Sequence, residues 1–196
     1  TAVDSHTGLP LVDKSLAELE KLELLPFKKA MDEGVDLLMT AHIQYPQIEK
    51  DQVVSKETGE KIYVPATLSD DILTGLVRKK YGYKGVIVSD AMGMDAIAKN
   101  FGEVEAVKMA IKAGVDLVLM PTTLRSKADL TKIDTIVNAV VDAVQTGDIS
   151  EDRLNESVRR ILTLKEKRGV LNFDPSARTA EKAEEAVGSS LNRDLE

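Results

Sequence analysis

One phrase occurs twice in the chain and constrains its fold more than any other feature. AMDEGVDLLM occupies residues 30–39 and AIKAGVDLVLM occupies residues 110–120. Each predicts the end of a helix, a glycine that can adopt the left-handed conformation, and a short apolar strand. A looser third copy ends in the apolar run 86–88. Because consecutive positions of these strands are apolar, both of their faces must be buried, which is typical of parallel strands covered by helices.

Helical patterns separate the strands. Ser15 and Glu18 predict a capping box at the start of one helix, and Pro26 is expected to bend or divide that helix. Further helices are predicted to start near Ser69 and to span residues 95–113, 130–146 and 150–169. The long segment 43–67 breaks the pattern, and its KETGEK sequence predicts a turn between two short paired strands.

Together these elements predict an α/β protein. Three strands with their helices cannot close a barrel, and they are too few for a doubly wound sheet of ordinary size. We therefore expect the C-terminal part of a (β/α)8 TIM-type barrel, with parallel strands and covering helices, whose beginning lies outside the chain. In such architectures the functional groups gather at the C-terminal ends of the strands.

Composition excludes several classes of function. The net charge of -7 and the pI near 5.0 argue against nucleic-acid binding, which requires an excess of clustered Lys and Arg. The chain has no Cys, which excludes disulfides and thiolate metal sites, and we predict neither a metal nor a cofactor.

No stretch is long and apolar enough to span a membrane. The chain starts with Thr1, so an upstream targeting signal would not be visible and the compartment is left open.

Polar residues stand at the predicted strand ends. Asp90 directly follows the buried run GVIVS and is expected to point into the cleft above the strands, with a helix N-cap as the alternative. His42 follows another strand, and a structural role is its alternative. Asp4 and His6 have the spacing at which a carboxylate can orient an imidazole, although an ordinary polar turn leading to Pro10 has the same pattern. Spacing alone leaves these alternatives open.

Five motifs in combination resemble a known family. VDSHTGLP, LMTAHIQYP, PATLS, YGYKGVIVSDAMGM and AIKAGVDLVLMP follow one another as in glycoside hydrolase family 3, and the DSH triplet resembles its bacterial β-N-acetylglucosaminidase branch. The resemblance runs from Val3 to about Arg178 and implies strands six to eight of the barrel, preceded by the catalytic loop of unit five. It implies that residues 1–171 are the C-terminal part of the catalytic domain and that residues 172–196 are a linker towards an absent second domain.

The resemblance also implies roles for individual residues. Asp90 falls on the family's nucleophile, His6 on its general acid/base, and Asp4 on the residue that orients this histidine. Substrate contacts are assigned to three further residues at or near strand ends, namely His42, Met92 and Met120. A retaining glycosidase needs a carboxylate and a proton donor about 5 Å apart around one anomeric carbon. A histidine can be that donor because its pKa lies near working pH.

The implied activity is removal of terminal β-linked N-acetylglucosamine from cell-wall or chitin-type glycans. Family members carry a K-H-F-P-G-H-G stretch and sugar-holding Asp and Arg residues upstream of DSH, and because these do not occur here, the chain alone is expected to be inactive. The expected partners are a carbohydrate and either the missing N-terminal half of the barrel or a second copy joined through open strand edges.

Several alternatives to this function remain at the level of sequence. Within the same family they are a β-N-acetylglucosaminide phosphorylase, a β-glucosidase and a β-xylosidase. Outside it, a receiver-like or structural α/β module is the non-catalytic alternative, because GVDLVLMP is similar to the phospho-acceptor strand of receiver domains. That strand would need an Asp where Met120 and Pro121 stand, which argues against the receiver.

Overall fold

The computed structural model describes residues 3–172, 180–181, 183 and 187. Contacts divide the chain into two compact units, residues 1–162 and residues 163–196. The first unit holds the strands and the candidate site. The expected linker, residues 172–196, lies almost entirely outside the described residues, so its interpretation stays a prediction.

Short strands alternate with helices along the described chain. The α-helices are α1 (Leu16–Leu19), α2 (Leu25–Asp32), α3 (Asp95–Phe101), α4 (Glu103–Ala113), α5 (Leu130–Gln145) and α6 (Glu151–Lys167). The strands are β1 (Leu37–Met39), β2 (Gln52–Val54), β3 (Lys61–Tyr63) and β4 (Val86–Val88). A π-helix spans Asp71–Lys80, and short 3-10 helices span Ala66–Leu68 and Lys127–Asp129. None of the described helices combines the length and the hydropathy needed to cross a membrane.

Parallel pairing of the repeated apolar runs confirms the α/β class. β1 pairs with β4 in parallel, with Leu38 opposite Ile87. The third predicted strand joins this pair through a single parallel bridge, between Val88 and Leu117. Its regular pairing ends early because the next backbone N–H, that of Leu119, donates 2.8 Å to the Ser89 hydroxyl instead of to a carbonyl. That these strands belong to a barrel stays a prediction.

The hydrophobic core lies between these strands and the helices. Ile87 is fully buried in it, and Leu38 and Val118 pack against it from the neighbouring strands. The π-helix, α3 and α4 contribute buried residues that include Leu73, Ile97, Ala106 and Ala110. Burial of this apolar surface holds the helices to one face of the strands.

The opposite face of the strands is apolar and exposed. Side chains alternate between the two faces of a strand, so Leu37 and Met39 of β1 point away from the core that Leu38 contacts. They are 45% and 54% exposed, and Leu117 and Leu119 on the third strand segment are 38% and 39% exposed. We call these four residues the open face. Single exposed apolar residues are common, but four of them facing the same way on the two strands that flank β4 indicate a surface that another element covers.

The helix boundaries follow local signals in the sequence. Ser15 forms the predicted capping box with Glu18, and Pro26 divides the segment as expected, since α1 ends at Leu19 and α2 begins again around the proline. The prediction of one helix over residues 95–113 is wrong. Gly102 interrupts it with a φ of +78°, a conformation that a helix does not contain and that glycine tolerates.

The predicted hairpin within residues 43–67 is confirmed. β2 and β3 pair antiparallel around the KETGEK turn. Just after β2, the Ser55 hydroxyl donates 2.6 Å to the Asn100 side-chain oxygen, and the Lys56 N–H donates 2.9 Å to the Asn100 carbonyl. Since Asn100 belongs to α3, the hairpin is fastened to the helix that follows Asp90.

A buried carboxylate at the other end of the strands fastens them to the helix layer. The Asp116 side chain is fully buried and accepts hydrogen bonds from Arg78 of the π-helix at 2.5 Å and from Arg160 of α6 at 3.0 Å. It also accepts from the Ser157 hydroxyl at 2.6 Å and the Ile87 N–H at 2.9 Å. One side chain thereby joins two strands, the π-helix and α6, at the end opposite the candidate site.

Candidate active site

A cleft of about 390 Å³ opens where β4 and the third strand segment end. Its lining residues are His6, Asp90, Ala91, Gly93, Met94, Asp95, Met120, Thr122 and Thr123. The structure therefore brings together three of the residues selected from the sequence, His6, Asp90 and Met120. Asp4 lies behind His6, whereas the His42 and Met92 side chains are buried outside the cleft. The catalytic and binding roles of all six stay predictions.

Asp90 is held at the mouth of β4 by its own loop. The residue is half-buried, and its Oδ1 accepts a hydrogen bond of 2.7 Å from the Ala91 N–H. Its Oδ2 accepts no hydrogen bond from the described part of the chain. The alternative role as a helix N-cap does not occur, because α3 begins at Asp95 and its N-cap residue is Met94. One carboxylate oxygen is thus fixed while the other remains available to a ligand.

Asp4 and His6 form a hydrogen-bonded pair. The His6 Nδ1 lies 2.7 Å from Asp4 Oδ1, and the His6 backbone N–H donates 2.9 Å to the same oxygen. These hydrogen bonds hold the pKa of the Asp4 carboxyl below its usual value. Because a carboxylate only accepts, Nδ1 carries the proton and Nε2 is the nitrogen left to exchange a proton with a substrate. The pair occurs within a turn, so both sequence-level interpretations describe the same local structure.

Backbone hydrogen bonds tie the loop after β4 to the neighbouring strand segment. The Ser89 N–H donates 2.9 Å to the Leu117 carbonyl, and the Met92 N–H donates 3.0 Å to the Leu119 carbonyl. Met92 is 1% exposed, so its side chain packs inside the protein below the cleft. Met120 is 61% exposed and has a φ of +44°, which turns the chain sharply at the cleft wall.

His42 lies beneath the same loop and is completely buried. Its Nε2 is 3.1 Å from the Ala91 carbonyl oxygen, and its Nδ1 is 2.9 Å from the Thr67 hydroxyl. The Thr67 hydroxyl is in turn 2.8 Å from the hydroxyl of Thr40. Burial lowers the pKa of His42, so the ring is neutral near pH 7. Both ring nitrogens thus contact protein groups, and the expected substrate contact of His42 stays a prediction.

The cleft also contains residues that sequence reasoning did not select. Thr122 and Thr123 follow the third strand segment, and the Thr122 hydroxyl donates 2.8 Å to Glu103 at the start of α4. Gly93 lies close to this wall, because an added Cβ would be 3.2 Å from the Thr123 hydroxyl. Their position directly after a strand end was a usable signal, since that is where parallel α/β proteins place functional groups.

Neither a second cavity nor a cluster of metal-binding side chains in the described part of the chain offers an alternative functional site that includes the selected residues. Another cavity, of about 630 Å³, lies between α1, α2 and the π-helix and is lined mainly by apolar residues such as Leu24, Phe27, Met31 and Ile72. It contains none of the six selected residues. Within the described residues, no group of three or more His, Asp and Glu side chains is arranged to hold a metal ion.

Known proteins resemble the chain in both sequence and fold. It is 38% identical to β-hexosaminidase A of Pseudoalteromonas piscicida over 199 aligned positions, which cover 100% of the chain and 32% of that protein. A glycoside hydrolase family 3 β-N-acetylglucosaminidase from Paenibacillus sp. FPU-7 superposes with a TM-score of 0.78 at 37% identity, over 92% of the chain and 31% of that protein. A β-glucoside phosphorylase superposes with a TM-score of 0.76 at 23% identity, over 97% of the chain and 32% of that protein, which shows a shared fold alone.

The chain spans about a third of the length of each of these proteins. A sequence model described as the glycosyl hydrolase family 3 N terminal domain matches residues 1–164. This match covers the cleft, the turn that holds Asp4 and His6, and the strands. The chain belongs to glycoside hydrolase family 3.

Proposed function

We propose that this chain supplies the nucleophile and the acid/base group of a retaining β-N-acetylglucosaminidase. The observation that carries the proposal is that Asp90 and His6 line one cleft, although they are 84 positions apart in the chain. A carboxylate and a proton donor around a shared cavity are the two groups that retention requires. The names of the similar proteins support N-acetylglucosamine as the sugar.

In the first half of the reaction, the Asp90 carboxylate attacks the anomeric carbon while His6 protonates the departing glycosidic oxygen from Nε2. The C–O bond to the leaving group breaks and a glycosyl ester on Asp90 forms. In the second half, the now neutral His6 takes a proton from water, which attacks the anomeric carbon and releases the sugar and the Asp90 carboxylate. Asp4 accepts the hydrogen bond from Nδ1, which leaves Nε2 as the nitrogen that faces the leaving group.

We also propose that residues 1–171 form units five to eight of a (β/α)8 barrel and that residues 172–196 lead towards a further domain. The coverage of about a third of each relative supports a larger catalytic unit. So does the open face, because the inward side chains of a closed barrel contact one another and exclude water. On this proposal the rest of the barrel covers the open face and supplies the sugar-binding residues, and the chain alone is inactive.

A phosphorylase is the second candidate, and the histidine favours it. His6 places less negative charge beside the glycosyl-enzyme than a carboxylate would, so a phosphate anion meets less repulsion in the second half of the reaction. Phosphate attack yields the sugar 1-phosphate, whereas water yields the free sugar. Product analysis with and without phosphate distinguishes the two functions, and a panel of β-glucosides and β-xylosides tests the remaining alternatives.

Replacing Asp90 in the longer protein that contains this chain tests the nucleophile. Asp90→Asn keeps the shape but removes the attacking charge, so we expect kcat to fall by about a thousandfold or more with the fold retained. Asp71→Asn, an exposed change of the same kind on the π-helix, is the control and retains full activity. Retention of more than about a tenth of kcat by Asp90→Asn would exclude Asp90 as the covalent nucleophile.

Replacing His6 tests the acid/base role separately. Activated aryl glycosides need little protonation of their leaving group, whereas substrates with poor leaving groups need it fully. We expect His6→Ala to slow the formation of the glycosyl-enzyme from poor leaving groups far more than from activated ones. Equal losses on both kinds of substrate would show that His6 only shapes the loop.

A further inference from the structure

We propose that His42 is a positioning residue that orients the Asp90 carboxylate through the peptide groups of Ala91, without touching the substrate. The inference rests on the proposed role of Asp90 as nucleophile. It changes the role expected for His42 from a substrate contact to a buried support beneath the cleft.

The proton positions in this cluster follow from its chemistry. A carbonyl oxygen only accepts, so the His42 Nε2 carries the proton that reaches the Ala91 carbonyl at 3.1 Å. The neutral ring then has an unprotonated Nδ1, which accepts from the Thr67 hydroxyl at 2.9 Å. Because the Thr67 hydroxyl donates its one proton to Nδ1, its oxygen is the acceptor of the hydrogen bond from the Thr40 hydroxyl at 2.8 Å. The hydrogen bonds therefore run in one direction, from Thr40 through Thr67 and His42 to Ala91.

Ala91 carries this constraint to the carboxylate. Its carbonyl accepts from His42, and its N–H donates 2.7 Å to the Oδ1 of Asp90. Both peptide groups that flank the Ala91 Cα are thus held, one by the buried ring and one by the carboxylate. Fixing Oδ1 in this way sets the direction of Oδ2, the oxygen that accepts no hydrogen bond from the described residues.

Burial makes the support rigid. His42 and Thr67 are 0% exposed, and Thr40 is 7% exposed. Water therefore does not compete for these hydrogen bonds, and breaking one leaves a buried polar group unsatisfied, which costs free energy. A displacement of about 1 Å at a reacting atom can reduce a rate by about a hundredfold. A cluster that fixes the Ala91 carbonyl therefore has a direct effect on the attack by Asp90.

Two substitutions of His42 distinguish the hydrogen bond made by Nε2 from the one made by Nδ1. The side-chain amide of Gln reaches the position of Nε2, so His42→Gln keeps a donor for the Ala91 carbonyl. The shorter amide of Asn reaches only the position of Nδ1, so His42→Asn keeps the contact with Thr67 and loses the donor. Both variants are neutral and polar, and they differ by one methylene group.

The measurement is the single-turnover release of the aryl group from an activated aryl β-N-acetylglucosaminide by the longer protein, together with the denaturant midpoint. We expect His42→Asn to slow release at least about tenfold and His42→Gln to stay within about threefold of wild type, with KM unchanged in both. Because an activated leaving group needs little protonation, the rate in this assay depends little on proton donation by His6. Equal rates for the two variants, or a loss that appears in KM alone, would overturn the inference.

A further pair keeps the test informative if a His42 variant does not fold. Thr67→Val has nearly the same shape but cannot donate to Nδ1, and Thr67→Ser restores the donor. We expect the valine variant to lose rate severalfold and the serine variant to recover it, and equal rates for both would contradict the proposal. Failure of the proposed function is recognised independently, because Asp90→Asn would then remain active.

Discussion

Replacing Asp116 with Asn tests how firmly the strands are held to the helices at the end opposite the cleft. The substitution preserves shape but removes the negative charge shared by Arg78, Arg153 and Arg160. Burial already lowers the pKa of the Arg78 and Arg153 guanidinium groups, and Asp116 opposes that effect. Without the carboxylate, three largely buried cations face one another, and the partly exposed Glu156, 2.9 Å from Arg160, compensates only part of their charge.

The size of the effect follows from the contacts. Asp116 accepts four hydrogen bonds of 3.0 Å or less. At about 1.5–3 kcal/mol for each hydrogen bond to a charged group, simple addition gives about 6–12 kcal/mol. The measured loss should be smaller, because Asn keeps one acceptor oxygen and costs less to bury than a carboxylate. We therefore expect the free energy of unfolding to fall by about 3–5 kcal/mol, the usual cost of breaking a buried ion pair.

Urea denaturation followed by far-UV circular dichroism measures this loss. Asp148→Asn is the matched control, because Asp148 pairs with Lys112 at 2.7 Å on the surface and the substitution changes the net charge equally. The control should leave the denaturation midpoint nearly unchanged, since exposed ion pairs are screened by solvent. A loss of less than about 1 kcal/mol for Asp116→Asn would refute the reasoning, because it would mean that the arginines find other compensation without rearranging the fold.

Two other predictions concern stability. Gly85→Ala places a Cβ 2.7 Å from the Asp36 carbonyl oxygen and should lower the melting temperature. Gly75→Ala on the π-helix places a Cβ with no neighbour closer than 3.7 Å and should raise the melting temperature slightly. A shift in the same direction for both variants would contradict this prediction. Burial lowers the pKa of His42 in the folded protein, so below pH 6.5 the unfolded chain binds a proton that the folded chain refuses. The contribution of His42 to the free energy of unfolding should therefore be largest above that pH and decrease below it. Urea titrations at several pH values measure this decrease, and His42→Gln should remove the part that is due to His42.

The strands were predictable because their signal is local. Consecutive apolar positions in the run 86–88 and in its repeats indicate burial on both faces, and parallel pairing is the structure that provides it. The capping box at Ser15 and the hairpin turn were equally local. The break at Gly102 was missed because a single glycine within a helical pattern is compatible with a continuous helix. The structure shows the break as a φ of +78° at Gly102, between the end of α3 at Phe101 and the start of α4 at Glu103.

The candidate site was predictable in part, for a related reason. Asp90 is placed by the strand that precedes it, and the rule that functional groups follow strand ends applies directly. His42 is placed by contacts with Thr67 and Ala91, which are 25 and 49 positions away, and no local pattern predicts them. Met92 lies two residues beyond Asp90, yet it is buried, because the loop turns after the strand and alternation no longer holds.

The position of Asp116 has a consequence for the order of folding during synthesis. Its partner Arg78 precedes it by 38 residues, but Arg160 follows it by 44. At about 5–20 residues per second, roughly 2–9 s pass on the ribosome between the synthesis of Asp116 and that of Arg160. Until Arg153 is made late in that interval, Arg78 is the one arginine of the three that the growing chain can pair with the carboxylate, and the strand end stays partly open. Helix α6 therefore completes the first unit last, and a chain that stops before Arg160 would lack the contact that closes it.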